Sequence, residues 1–310
     1  MSEWLPVSIS LPYKIGPVKL FSCRFNAVMP VDYFTAWPKY PECEQQIIDA
    51  TEEHPLAVCR SQPLSTIPPR LRFAKGRIWY VPATYRHQIV NTTGSFSTYL
   101  EGLTGKTRSS IQRKVRKFRN RFGDGAVFET FRTVTELNRF YDRARKLSSL
   151  TYQERMLGAG LPATELFVKN MTELAETDSV RAFLLTIDGR DIAYLYSPGR
   201  NGVLFYSFLG YDPDFAEWSP GTVLQYLALE SIFNEGRFRW FDFEEGEGQH
   251  KSTFATDVAL CCDLFVFRLA PWSSMVVVAH WGFLAAIRSG SAALRNLGLH
   301  QRFKRFLRAQ

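Results

Sequence analysis

The chain has 310 residues, of which 45% are hydrophobic and 22% are charged, a composition typical of globular proteins with enough length for two domains. Its five cysteines include no Cys-x-x-Cys pair and no zinc-ligand spacing, which argues against a disulfide framework and against a zinc site. The first 14 residues contain no apolar run of signal-peptide length, so we expect a cytoplasmic protein.

The net charge of +8 is concentrated in two segments. Lys106 to Arg121 contains eight basic residues and Arg288 to Arg308 contains six, and neither segment has an acidic residue. The rest of the chain is mildly acidic, with 24 basic against 30 acidic side chains. Basic segments of this kind usually contact phosphate groups, in a cofactor, a lipid headgroup or a nucleic acid. For residues 106–121 the alternative is a solvated helix face.

In chain order, residues 1–103 combine short β-like runs with proline-rich turns and predict a small α+β lobe. The segment 109–122 predicts an amphipathic helix, with Ile111, Val115, Phe118 and Phe122 on its apolar stripe. From residue 126 the predicted order is one strand, two helices, three strands, a helix, a strand, a glycine-rich loop and a last strand.

Asp188-Gly189 and the segment 199–202 carry hairpin signals between the three consecutive strands. A hairpin meander that leads into one β-α-β crossover predicts an α/β fold with a mixed sheet. We therefore predict three regions: an N-terminal α+β lobe over 1–103, an α/β domain over 104–270, and a basic amphipathic helical tail over 271–310.

The helix after the meander begins at Ser219-Pro220-Gly221-Thr222. Proline at the first helical position, with glycine beside it, leaves several backbone amides without partners inside the helix. Two interpretations are open. Ser219 is an ordinary N-cap, or the exposed amides bind an anionic group such as phosphate.

The next strand ends in Trp240-Phe-Asp-Phe-Glu244, followed by Gly246, Gly248, His250 and Lys251. Because side chains alternate along a strand, Asp242 and Glu244 are predicted to share a face. Either carboxylate could serve as a general base in acyl transfer to an amine, beyond the carboxyl end of the strand where α/β sheets bind ligands. The alternative for Glu245 and Glu247 is a solvated acidic turn. A metal site in this loop has little support, and Cys261 and Cys262 are predicted to lie in the core.

The run from Tyr211 to Thr256 resembles GNAT-superfamily acyltransferases known as cellulose-biosynthesis (CelD-type) proteins. The matching elements are Tyr211-Asp212-Pro213, Ser219-Pro220-Gly221, Asp242-Phe243 and the segment from Gly246 to Lys251. The basic helix resembles an arginine-rich helix of the family, with Arg108 and Arg113 as the matching positions. The segment from Leu150 to Leu161 also resembles the family, with Tyr152 and Gln153 beside the acceptor site. The resemblance covers about residues 100–268.

The resemblance implies a GNAT fold in which acyl-CoA, carrying an acetyl or longer chain, lies between two splayed parallel strands. An amine acceptor, envelope- or polysaccharide-related or lipid-linked, would attack the thioester directly. Pyrophosphate would bind at the helix start. The roles expected are Asp242 or Glu244 as base, Tyr206 as acid and Lys251 as an orienting group. Ser219, Pro220, Gly221, Thr222, Arg108 and Arg113 would lie at the donor, and Tyr152, Gln153, Tyr194, Tyr196 and His250 at the acceptor. For Tyr194 and Tyr196, packing in the core is the alternative.

Two alternatives to this enzyme remain open. Fem-type transferases, distantly similar to this family, use aminoacyl-tRNA on a duplicated GNAT fold, and residues 1–103 could be a degenerate first lobe of that kind. A non-catalytic adaptor that binds membrane or nucleic acid is the other. Phe118 and Phe122 lie on the inward stripe of the basic helix rather than among its cations, which argues against base stacking and against nucleic acid as a partner.

The tail has 19 residues without a charged side chain, from Leu269 to Ile287, followed by cations mixed with apolar residues. The strongly apolar part, 275–287, is short for a membrane span. An interfacial anchor on the inner face of the cytoplasmic membrane is one interpretation. A helix packed on the N-terminal lobe is the other.

Overall fold

The computed structural model describes residues 4–15, 18–30, 39–151, 160–244 and 249–296. Contacts within the chain divide it into two compact units, Met1–Arg86 with Ala259–Gln310 and His87–Val258. These bounds differ from the three regions expected from the sequence. The reason is that the last strand and the helix after it pack with N-terminal residues.

The first unit is built from six strands and two helices among the described residues. Its sheet has the order β1-β2-β3-β13-β5-β4, with β2 and β3 parallel and the other neighbours antiparallel. The elements are β1 (Trp4–Ile15), β2 (Val18–Pro30), α1 (Glu44–Glu53), β3 (Leu56–Pro63), β4 (Leu71–Ala74), β5 (Arg77–Tyr80), β13 (Asp257–Arg268) and α8 (Pro271–Asn296).

Alternate residues of β3 separate the two faces of this sheet. Ala57 and Cys59 belong to a cluster with Ile47 of α1. Leu56 and Val58 belong to the opposite cluster, which includes Val277 of α8. The helix expected either on a membrane or on the N-terminal lobe thus packs one side against N-terminal strands.

The second unit contains a mixed sheet of the order β6-β12-β10-β9-β8-β7, and β11 pairs with β9. Only β10 and β12 run parallel, among the pairings described. The predicted mixed α/β architecture is confirmed. The elements are β6 (Thr84–Asn91), α2 (Phe96–Gly102), α3 (Gly105–Phe122), β7 (Ala126–Phe131), α4 (Val134–Ser148), α5 (Glu165–Glu176), β8 (Val180–Ile187), β9 (Arg190–Arg200), β10 (Val203–Phe205), β11 (Phe208–Tyr211), α6 (Pro220–Glu235), β12 (Trp240–Asp242) and α7 (Gln249–Phe254).

Helices cover both faces of this sheet. Phe183 and Leu185 of β8 pack with the buried stripe of α3 and with α6. The intervening Ala182 and Leu184 pack with α4 and α5. The two predicted hairpins are present, with positive φ at Asp188-Gly189 and at Asn201-Gly202, as two-residue turns between antiparallel strands require.

Gly210 of β11 is fixed by close packing. A Cβ at this position would lie 2.4 Å from the Tyr194 ring and 2.8 Å from Thr151 Cγ2. Because both neighbours are buried, neither side chain has room to withdraw.

We therefore expect Gly210→Ala to lower the free energy of unfolding by about 1–3 kcal/mol, the usual cost of overpacking a core. Urea denaturation monitored by circular dichroism measures this change. Gly105→Ala is the matched control, since a Cβ there meets no atom within 4 Å. An equal loss of stability in both variants would contradict the packing explanation.

Candidate functional site

The two parallel strands of the second unit separate just after they pair. β10 and β12 are in register through Phe205 and Asp242, and Tyr206 N donates a hydrogen bond to Asp242 O at 2.8 Å. After this point Phe243 N donates to Gln88 O on β6, while β11 pairs with β9. The predicted splay of two parallel strands is therefore present.

A cleft of about 540 Å³ opens on the β11 side of this separation. It extends from Tyr206 to the first turn of α6 and brings together five residues predicted for the site, namely Tyr206 and the helix start 219–222. The lining residues are Tyr206, Ser207, Phe208, Leu209, Tyr211, Ala216, Ser219, Pro220, Gly221, Thr222 and Gln225.

The first turn of α6 is not capped by a side chain. Ser219 is left-handed, with φ 54° and ψ 48°, and its hydroxyl makes no capping hydrogen bond. Its carbonyl accepts from Thr222 N at 3.0 Å and Val223 N at 3.1 Å. Ser219 therefore occupies the N-cap position without a side-chain capping bond, and the start of the helix presents its backbone to the cleft.

Gly221 allows the helix to approach the wall of the cleft. A Cβ at this position would lie 3.2 Å from Leu209 Cδ2 and 3.5 Å from Tyr211 Cδ1. A larger side chain would therefore enter the space between α6 and β11. Glycine at this position keeps the first-turn backbone accessible from the cleft.

Gln225 lies one helical turn after Gly221 and also lines the cleft. It is only 2% exposed, and its Nε2 has no hydrogen-bond partner within the described ranges. A buried amide without a partner costs about 1–3 kcal/mol, which a ligand carbonyl or phosphate oxygen would recover. The sequence interpretation missed this residue, although a single glutamine at i+4 from Gly221 in an apolar run was a usable signal.

The basic helix α3 contacts Glu217 and Trp218, just before the start of α6. Lys117 Nζ lies 4.4 Å from the centre of the Trp218 ring and donates to Glu217 O at 3.2 Å. The Arg121 guanidinium lies 6.0 Å from the same ring. Lys117 and Arg121 were not singled out from the sequence, since nothing in a uniformly basic segment distinguishes the cations that face a partner element.

The two predicted arginines of this helix have different surroundings. Arg113 is exposed and precedes Lys117 by four residues, so it lies on the helical row that leads to Trp218. Arg108 donates to Glu101 O at 3.2 Å, near the start of α3. The structure therefore places Arg113, rather than Arg108, in line with the start of α6.

Asp242 and Glu244 occupy different environments at the end of β12. Asp242 is fully buried, and its Oδ1 accepts from His87 Nε2 at 2.6 Å and from Glu244 N at 2.7 Å. Glu244 is exposed, and its backbone is left-handed with φ 57°. The extended conformation therefore ends before Glu244, and the predicted alternation does not place the two carboxylates on one face. Asp242 is not among the residues that line the cleft.

His87 of β6 is the partner that sequence interpretation missed. Its side chain is fully buried against Asp242. The second carboxylate oxygen of Asp242, Oδ2, is also buried and has no partner in the described part of the chain. The hydrogen bond from His87 therefore fixes the Asp242 side chain, which in turn accepts a hydrogen bond from the backbone amide of Glu244.

Tyr206 lines the cleft beside this pair. Burial raises the pKa of its phenol, and the neighbouring Tyr194 raises it further. The phenol therefore keeps its proton at neutral pH and is available as a hydrogen-bond donor.

The other residues predicted for the acceptor site are dispersed. Tyr194 and Tyr196 are almost fully buried in the core beside α4 and α5, and Tyr194 Oη donates to Ser148 Oγ at 3.1 Å. Lys251 is half-buried on α7. Tyr152 and Gln153 lie outside the described residues, as does the side chain of His250.

The part of the chain that the structure describes contains no cluster of three or more His, Cys, Asp or Glu side chains suited to a metal ion. Four of the five cysteines are buried, and burial raises the pKa of the Cys59 and Cys262 thiols. In the same ranges, no helix combines the length and hydrophobicity that a membrane crossing requires.

Residues 105–252 match the family model of the acetyltransferase (GNAT) domain. The second unit has a GNAT acyltransferase fold. The match covers α3, the separated strands and the start of α6, so the whole cleft lies within it. GNAT domains typically use acyl-CoA as the donor, and nothing in the match singles out the CelD-type family.

The whole chain resembles the crystal structure of FemX, with a TM-score of 0.54, 10% sequence identity, and coverage of 88% of this chain and 90% of that one. It also resembles the structure of L-PGS from Bacillus licheniformis, with a TM-score of 0.47, 12% identity, and coverage of 83% and 82%. At these identities the likeness to FemX concerns the fold alone. A search of curated protein sequences gives no significant match.

The pair of His87 and Asp242 gives a prediction for stability. Replacing one partner leaves the other buried and uncompensated, so we expect His87→Leu to lower the free energy of unfolding by about 3–5 kcal/mol. In the double variant His87→Leu/Asp242→Leu most of this loss should be recovered, because two apolar side chains fill the site. A double-mutant cycle in urea measures both effects. Additive losses in the double variant would show that the pair is not coupled.

Proposed function

We propose that the chain is an acyl-CoA-dependent N-acyltransferase that moves an acetyl or longer acyl group to an envelope- or polysaccharide-related or lipid-linked amine. The observation that carries the proposal is the cleft at the separated strands. It combines uncapped helix-start backbone, a buried Gln225 amide without a partner and a protonated Tyr206 within the GNAT domain.

The helix start is suited to the pyrophosphate of the donor. Thr222 N and Val223 N already donate to Ser219 O and Pro220 has no N–H, so the Gly221 amide and the positive end of the helix dipole are what favour an anion there. Lys117 and Arg121, beside Trp218, add two cations next to this turn. Gln225 is placed to donate its amide hydrogens to a carbonyl of the pantetheine arm. Bound acyl-CoA would supply the thioester whose acyl group is transferred.

The reaction we propose is direct attack by the acceptor amine on the thioester carbonyl. A carbon–nitrogen bond forms, the carbon–sulfur bond breaks, and the amine proton must leave to a base. Of the two predicted bases, the exposed Glu244 is the carboxylate that an acceptor can reach. Asp242, buried against His87, acts as a positioning residue that holds the Glu244 amide. Tyr206 donates its phenolic proton toward the departing thiolate.

A competing proposal is transfer from aminoacyl-tRNA, the donor of Fem-type enzymes. The cations of α3 would serve an RNA backbone as well as a pyrophosphate. The two donors differ in their demands on the cleft, because a tRNA donor makes no use of a pocket for the pantetheine arm. Binding of free CoA therefore separates the proposals.

We expect CoA, acetyl-CoA and a long-chain acyl-CoA to raise the melting temperature, because a ligand at about 100 times its Kd adds about 2.7 kcal/mol to the stability of the native state. Differential scanning fluorimetry measures the shift. Gln225→Leu and Gly221→Val should reduce it. Gln112→Leu, which changes an exposed glutamine of α3, is the control and should keep the full shift.

No shift with any of the three ligands would contradict the acyl-CoA proposal. Salt-sensitive binding of tRNA in the same chain would then favour the Fem-type donor. A chain that binds neither would be left with the adaptor interpretation.

We expect Glu244→Gln to lower kcat by about 10²–10⁴-fold, the usual contribution of a general base, while the shift caused by CoA remains. Release of the CoA thiol in the presence of a panel of amines measures turnover. Glu176→Gln, an exposed carboxylate of α5, is the control. Unchanged turnover in Glu244→Gln together with a large loss in Asp242→Asn would assign the base to Asp242 instead.

A further inference from the structure

The solvent side of α8 is apolar, which is unusual for a surface helix. No charged residue occurs between Leu269 and Ile287. The large side chains directed away from the core recur at three-residue steps, and helices of soluble proteins usually carry charges on this side. They are Trp272, Met275, Val278 and Trp281, with exposed fractions of 63%, 57%, 44% and 39%.

The opposite side of α8 packs against the strands of the first unit. Val277 is buried in the core, and His280 Nδ1 accepts a hydrogen bond from Tyr80 Oη at 2.5 Å. His280 Nε2 donates to Pro12 O at 3.2 Å, and burial lowers the pKa of this imidazole, so it stays neutral. The exposed side is therefore held in one orientation by the packed side.

The hairpin of β1 and β2 extends this surface. Tyr13 lies with its ring 5.0 Å from Phe283 of α8, and Phe21 stacks on Tyr13 at 4.2 Å. Phe21 is 54% exposed and the adjacent Leu20 is 53% exposed. We call Leu20, Phe21, Trp272, Met275, Val278 and Trp281 the apolar face.

Exposed cations occur on the same two elements as the apolar face. Lys14 and Lys19 are exposed at the end of the hairpin, and Arg288 is exposed further along α8. A symmetric contact between two copies would bring these like charges together, whereas anionic lipid headgroups would neutralise them.

We propose that the apolar face lies on an anionic lipid bilayer, with α8 in the plane of the interface. Its apolar side chains enter the acyl boundary, and Lys14, Lys19 and Arg288 contact headgroup phosphates. Trp272 and Trp281 are suited to this position, because an indole has an apolar body and a polar N–H. This inference does not depend on the proposed reaction, although it would bring a lipid-linked acceptor to the enzyme.

The test is co-sedimentation of the full chain with vesicles of phosphatidylcholine alone and of phosphatidylcholine mixed with phosphatidylglycerol. We expect binding to the anionic vesicles that weakens as salt is raised, and much weaker binding to the neutral ones. Met275→Glu and Val278→Glu should each weaken binding by about tenfold or more, since each removes the burial of one apolar side chain.

The matched control is Leu166→Glu, which places the same charge at a 67% exposed leucine of the second unit. It should bind vesicles like the unchanged chain. All three variants change exposed positions, and thermal melts by circular dichroism check that each is folded. Gln225→Leu should also keep vesicle binding, so a failure of the acyl-CoA proposal can be told apart from a failure of this one.

Absence of binding to anionic vesicles at low salt by the folded chain would overturn the proposal. Equal loss in Leu166→Glu and Met275→Glu would overturn it as well. Sedimentation velocity without lipid tests the remaining alternative, in which a second copy of the chain covers the apolar face. A dimer that Met275→Glu dissociates would make the apolar face a contact between two copies instead of a membrane surface.

Discussion

The end of one parallel strand pair sets the geometry of the second unit. Tyr206 N and Asp242 O make the last hydrogen bond between the two chain segments, and each then turns to a different neighbour. Backbone groups inside a protein need partners, so strands separate only where other strands accept them. β9 accepts one segment through β11, and β6 accepts the other through Gln88. The cleft exists because each segment has another strand to pair with after the two parallel strands separate.

The polar groups on the two sides of this separation differ in their burial and in their hydrogen bonds. On one side of the separation, α6 starts without a side-chain cap and Gln225 Nε2 is buried without a partner in the described residues. On the other side, Asp242 Oδ1 accepts hydrogen bonds from His87 and from the Glu244 amide, while Oδ2 is buried without a partner in the described residues. The buried Asp242 carboxylate therefore fixes local geometry, while Glu244, two residues later, is exposed.

Much of this architecture was predictable because it depends on local patterns. The 3.6-residue period of α3, the Asp-Gly and Asn-Gly turns and the proline at the start of α6 each determine structure within a few residues. His87 was not predictable in this way, since it lies 155 positions before Asp242 and only the pairing of β6 with β12 brings the two together. The same holds for Lys117, whose role depends on its contact with Trp218.

The carboxylates show a second limit of local patterns. Alternation along the strand was correct for Phe241 and Phe243, which are both in the core, but it does not extend to Glu244, where φ is positive. The boundaries of the first unit show the same limit on a larger scale. β13 joins N-terminal strands by pairing over about 200 positions, a distance at which hydrophobic periodicity carries no information.

The discontinuity of the first unit has a consequence for biosynthesis. Residues 87–258 form one uninterrupted segment, whereas the first unit needs residues from both sides of it, including β13 at the centre of its sheet order. During translation the GNAT domain leaves the ribosome complete while β1 to β5 still lack the strand that joins β3 to β5. Domains usually fold in the order of synthesis, but here the inserted domain can fold before the surrounding unit is complete. Until residues 259–268 emerge, the edges of β3 and β5 that pair with β13 are open to other strands, so this is the interval in which a nascent chain would depend most on chaperones.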